Sequence, residues 1–252
     1  VVSKIFDGDD FRYYNVTIER PLRLKSQFNA LKIDEMLYDN SDLEMSKWLY
    51  QTYGERVFDG LDNEVPAIKE YLNENEIKMT DKKLAKLISV KAWEDRRTLQ
   101  DAAKALMKAI GTEVFMDYNV FSERVASTAK TLKLDVKATD IKSIARAMSI
   151  TDPDAAPVIK KEHKANSKDI EKLESVYGIA PEVIEDYGYT KQGKGYVEYE
   201  SDSDLRDSEK IPVKEDIYEY FQREVRPYVA DAWINLPPTK IGCEISFNKY
   251  FY

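Results

Sequence analysis

The sequence predicts a mainly α fold: a helical bundle with small β-hairpin elements at the N-terminus and near the C-terminus. Three observations lead there. Hydrophobic residues make up 43% and charged residues 33% of the 252-residue chain, a balance that suits a folded, helix-rich protein and not a disordered one. From about residue 28 to 150, apolar residues recur every three or four positions, the spacing of one helix face. Near the N-terminus, the turn signal Asp7-Gly8-Asp9-Asp10 precedes an alternating run in which Tyr14, Val16 and Ile18 share a face, as in a strand.

Residues 3–19 are therefore expected to form a hairpin whose first arm holds Ile5 and Phe6. Pro21 ends it, and Leu22 and Leu24 continue the alternation. Ser41 can cap a helix with Leu43, Met45, Trp48 and Leu49 on one side. Asp62 and Pro66 open another, with Ile68, Tyr71 and Leu72 inward. Thr80 precedes a helix through Leu84, Leu87 and Ile88. The clearest helix covers residues 94–110, with Leu99, Ala103, Leu106 and Ile110 on one stripe, and Gly111 stops it. Two more are expected near 119–131 and 140–148. Residues 151–166, which open Thr-Asp-Pro-Asp-Ala-Ala-Pro and turn lysine-rich, read as a linker. Ser167 then caps a helix through Ile170, Leu173 and Val176, ended by Gly178, and Pro181 starts a short one. Residues 186–210 read as loop with a short strand near Tyr196 to Tyr199. A final helix is expected over 214–226, with Ile217, Tyr220, Phe221 and Val225 inward.

The totals bound the function. A formal net charge of -8 argues against a free-standing nucleic-acid binder, because phosphate neutralisation supplies most of that affinity. The lone cysteine, Cys243, permits no internal disulfide, which suits a reducing cytoplasm. No apolar run is long enough for a spanning helix. The start, Val1-Val2-Ser3-Lys4, lacks an initiator Met and the shape of a signal peptide, so the chain is expected to be cut from something longer. The 17 tyrosines each bury a ring and keep a polar tip, suiting cores and contact surfaces alike.

The motif-like stretches mostly have plain readings. Residues 188–195 imitate a phosphate-binding loop, but Gly195 stands where the motif needs Ser or Thr for magnesium. Asn235-Leu236-Pro237-Pro238-Thr239 imitates the Asn-Pro-Pro-aromatic tetrapeptide of amino-methyltransferases, yet Leu236 and Thr239 replace its key residues, leaving a proline-rich turn. His163, the only histidine, is expected to be exposed in the linker. Cys243 has no second cysteine for zinc, and Asp7, Asp9 and Asp10 are as well explained by a turn as by a metal. Two basic clusters, Arg20, Arg23 and Lys25, and a second that includes Arg96 and Arg97, are candidate contacts to DNA or a partner, with a solvated helix face as the plain alternative.

Two stretches carry a resemblance. One is Phe6-Asp-Gly-Asp-Asp-Phe-Arg-Tyr-Tyr-Asn-Val-Thr-Ile-Glu-Arg-Pro-Leu-Arg-Leu, ending at Leu24. The other begins Asp204-Leu-Arg-Asp-Ser-Glu-Lys-Ile-Pro-Val-Lys-Glu-Asp-Ile217 and runs through Tyr220-Phe221, Arg223-Glu224-Val225, Pro227, Asp231-Ala-Trp-Ile234 and Lys240-Ile-Gly-Cys-Glu-Ile245 to Phe251-Tyr252. Both resemble the methylation (M) subunit of type I restriction-modification systems, in the region after its catalytic domain. The resemblance implies an adenine-N6 DNA methyltransferase that uses S-adenosylmethionine and works with a specificity (S) subunit, with DNA and, for cleavage, with a restriction (R) subunit.

The family's cofactor motif and its Asn-Pro-Pro-aromatic motif lie upstream of the Glu19-Arg20-Pro21-Leu22 stretch, so no catalytic, cofactor-binding or metal-binding residue carries over to this chain. The family also continues past the Phe251-Tyr252 position into a tail helix that grips the S subunit. Residues 1–25 would then be the edge of the methyltransferase domain, 26–150 a helical bundle, 151–166 a linker and 167–252 a C-terminal docking region. The alternative is a free-standing helical protein-binding module with no methyltransferase parent.

Overall fold

The computed structural model describes residues 7–244. Along them run β1 (Arg12–Glu19), β2 (Leu24–Ser26), α1 (Ala30–Glu35), α2 (Leu43–Tyr53), α3 (Val65–Glu74), α4 (Asp81–Leu87), α5 (Val90–Ile110), α6 (Tyr118–Thr131), α7 (Ala138–Ala147), β3 (Ser149–Thr151) and β4 (Ile159–Lys164). There follow α8 (Lys168–Tyr177), β5 (Tyr189–Gln192), β6 (Gly195–Tyr199), β7 (Asp207–Pro212), α9 (Ile217–Tyr220) and β8 (Trp233–Cys243). Helix accounts for 51% and strand for 21%, with three antiparallel sheets ordered β7-β1-β8, β2-β3 and β4-β6-β5. The fold is therefore mixed α/β, which corrects the expected mainly helical bundle with small hairpins. The reason is range. Thr17 of β1 pairs with Ser208 and Asn235, and a local hydrophobic period carries no trace of such distant partners.

The chain divides into two compact units. Lys25–Ile150 is one, and the residues before and after it together make the other. The first unit is helical because its caps and periods agree. Asn29, Thr80 and Asp117 each accept backbone N–H groups at the starts of α1, α4 and α6, satisfying donors that a helix start leaves bare. Two apolar clusters form its core. One gathers Phe28, Ile33, Leu106, Phe121, Val125 and Ile144; the other gathers Leu49, Val57, Leu61, Ile68 and Trp93. Each such side chain contributes about 1.5–3 kcal/mol of transfer free energy. Trp93, fully buried, also needs an acceptor for its indole N–H, and the Leu87 carbonyl supplies it at 3.0 Å.

In the second unit β1 is the middle strand. Val16 and Ile18 point into a core with Ile211 of β7, Ile234 of β8, and Phe221 and Val225. The expected hairpin is corrected here. Its first arm, with Ile5 and Phe6, lies outside the described residues, and both edges of β1 from Tyr13 to Ile18 are engaged by β7 and β8. The expected linker 151–166 contains β4, paired to β6. Helix α8 lies where the pattern placed it, but it buries no residue fully, and Val176 is 64% exposed. Over 214–226 the helix is shorter, Ile217–Tyr220, and passes into a π turn at Phe221–Val225. There the Arg226 N–H donates to the Phe221 carbonyl five residues back, at 2.9 Å.

Candidate functional site

The two stretches that carry the resemblance meet in the β7-β1-β8 sheet, where a cluster of charge forms beside the end of β1. Asp231, in the turn before β8, accepts from Arg20 Nε at 3.0 Å and is 3.5 Å from Arg23 Nη2. Arg23 Nη1 donates to the Ala155 carbonyl at 2.8 Å. Strict alternation would have set the two arginines on opposite faces. Pro21, buried between them, bridges to Ser201 and redirects the chain, so that one carboxylate holds both guanidinium groups. Next to them Glu19, 7% exposed, accepts from Arg206 at 3.0 Å. The cluster around Asp231 keeps one net positive charge. Because all three side chains are partly exposed, water screens the pairs. Asp231→Asn is therefore expected to cost less than about 1 kcal/mol in a urea titration, while adding positive charge to this face.

The other candidate residues lie elsewhere. Lys25 is half-buried on β2 and has a partner of its own. In the helical unit Arg96 donates to the Leu37 carbonyl at 3.1 Å, lies 3.5 Å from Asp39, and sits over the Trp93 ring. Burial lowers its pKa and Asp39 opposes that. Arg97 pairs with Glu55 and lies over Phe58. These two act as packing and pairing side chains within one unit, and they do not converge with Arg20 and Arg23 in a described contact.

His163 is the main residue misplaced by sequence reasoning. It is 6% exposed, on β4, and not in an exposed linker. Its Nε2 is 3.0 Å from Glu198 of β6, its Nδ1 is 3.3 Å from Asp169 of α8, and its ring meets Tyr189 of β5 edge-on. Glu198 and Tyr189, 35 and 26 residues away, supply partners for the buried ring that no local pattern announces. The stretch resembling a phosphate loop is the β5–β6 hairpin, turning at Gly193 (φ +57°). Gly188 (φ +85°) lies under the Trp233 indole, where a Cβ would come within 2.8 Å of Nε1, so only glycine fits. Asn235-Leu-Pro-Pro-Thr lies inside β8. Among the described residues no group of His, Cys, Asp and Glu is arranged to hold a metal, and no helix is long and apolar enough to cross a membrane.

A cavity of about 240 Å³ opens in the same unit, between the two three-stranded sheets and α8. Tyr187 and Tyr189 stand in its wall. Burial, reinforced by Asp216 and Asp186, pushes the Tyr187 phenol up to about 12; burial, reinforced by Glu198 and Asp169, does the same for Tyr189. A phenol raised in the fold stabilises it fully below the ordinary value of 10, and that contribution is lost as pH climbs through about 12. Stability is accordingly expected to fall between these pH values, and the Tyr187→Phe, Tyr189→Phe double variant should flatten part of that fall in denaturation at stepped alkaline pH.

No family model, curated protein or solved structure matches this chain.

Proposed function

We propose that the chain is the non-catalytic C-terminal part of the methylation subunit of a type I restriction-modification system, and that it serves subunit assembly and positioning on DNA. What carries the reading is a juxtaposition. The two sequence stretches that resemble that family stand far apart in the chain, yet they are neighbours in one sheet, with Ile18 of β1 against Asp207 of β7 on one edge and Ile234 of β8 on the other. They also share the Arg20–Asp231 and Glu19–Arg206 pairs. Stretches kept for a common surface are expected to converge in this way. The surface they form carries guanidinium groups, which suit phosphate and carboxylate alike, so both DNA and an acidic patch on the S or R subunit are fitting partners. In this reading S-adenosylmethionine belongs to the catalytic part of the parent enzyme, and no residue of this chain is assigned to it.

The test is genetic. Deleting the coding region for this chain in its host is expected to abolish N6-methyladenine at one recognition sequence, read by single-molecule sequencing of genomic DNA. An unchanged methylation pattern would overturn the proposal.

A further inference from the structure

The cavity beside Trp233 shares Glu19 with the charged surface described above, and its chemistry points to a ligand of its own. It is lined by aromatic residues from four separate elements: Tyr177 at the end of α8, Tyr187 and Tyr189 around the start of β5, Tyr199 of β6, and Trp233 of β8. Aromatic faces are electron-rich and attract cations. Two carboxylates also line it. Glu19 is more than nine-tenths buried, and Glu198 is largely covered, its side chain 18% exposed.

We propose that this cavity binds a small organic cation, an alkylammonium or guanidinium group, with the aromatic rings around its methylene or methyl surface and Glu19 beside its charge. Size sets the ligand class. At about 240 Å³ the space lies below the ~300–1,000 Å³ of a site for a drug-sized molecule, so it takes a group no larger than an amino-acid side chain. Sign sets the rest. The charged lining residues are two carboxylates, Glu19 and Glu198, and one cation, Lys160, so the lining carries an excess of negative charge that disfavours anions and favours cations. The one lining cation, Lys160, is 59% exposed at the rim and is held on Glu198 Oε1. Both contacts from Arg206 to Glu19 fall on Oε1. Nothing in this depends on a methyltransferase parent.

The source of the cation is open to the same experiment. The probes are choline, agmatine and N-acetyl-arginine methylamide, with 3,3-dimethylbutan-1-ol as the neutral isostere of choline, each titrated into the full 252-residue chain labelled with ¹⁵N. The readout is the indole N–H resonance of Trp233, identified by its loss in Trp233→Phe. Saturable shifts with the cations, and binding at least about ten-fold weaker for the neutral isostere, are expected. Tighter binding of agmatine or choline than of the arginine derivative assigns the site to a free amine, and the reverse assigns it to a side chain of a partner protein. Glu19→Gln should weaken cation binding about ten-fold. If that variant unfolds, Glu198→Gln replaces it, with a loss of binding in the same direction. Absence of a saturable shift, equal binding of the neutral isostere, or indifference to the folded Gln variant overturns the proposal.

Discussion

Truncating Leu106 to alanine is expected to remove about 2–5 kcal/mol of stability. Leu106 is fully buried on α5, in the cluster with Phe28, Phe121, Val125 and Ile144. Those neighbours come from the chain before α1 and from α6 and α7, so no single element can move to refill the space. The loss therefore combines transfer of the missing methyl groups with the cavity left behind. Urea denaturation monitored by helical ellipticity measures it. The midpoint should fall while the slope holds, since the surface exposed on unfolding barely changes. A midpoint equal to wild type would mean that this stripe does not face a packed core.

Phe221→Ala should cost about 3–5 kcal/mol, and its effect should fall on the other unit. Phe221 is fully buried at the start of the π turn, packed with Val16, Ile18, Ile211 and Ile234. Removing the ring unseats all three strands of the β7-β1-β8 sheet at once, because each contributes a residue to that cluster. Hydrogen exchange resolves the outcome by position. Amides of β1, β7 and β8 should lose protection, while those of α5 and α6 keep theirs, because Leu106 and Phe221 belong to separate clusters. Equal loss in both sets would show that the two units unfold as one.

Much of the helical unit was legible in the sequence. The stripes of α3 and α4, the Thr80 cap and the Gly111 stop all rest on residues within a turn or two of one another. The segmented unit was not, for a physical reason visible in β8. Pro237 and Pro238 suggest a turn because proline cannot donate to a ladder. Here they fall where the register slips between Asn15–Lys240 and Thr17–Asn235, a bulge that spares them the need to donate. The partner strand that makes the bulge is more than two hundred residues earlier. The inward residues of the last helix, Phe221 and Val225, were legible, whereas the change to π geometry beneath them was not. At the candidate site the arginines were visible, but Asp231 was not visible as their common partner. The abundance of tyrosine was visible too, without any sign of which rings would share a cavity.

The interrupted path of the segmented unit also has a temporal side. β1 emerges from the ribosome before the strands that flank it, β7 and β8, which begin only at Asp207 and Trp233. At about 5–20 residues per second, roughly 10–40 s separate β1 from β8. During that interval the helical unit, whose contacts are nearer in sequence, has time to fold. β1, meanwhile, carries Tyr14, Val16 and Ile18 with both edges unpaired, a form prone to pairing with other chains. Translation that halts before residue 207 would leave every product molecule in that state, so synthesis rate and chaperone supply are built into how much of this protein reaches its native form.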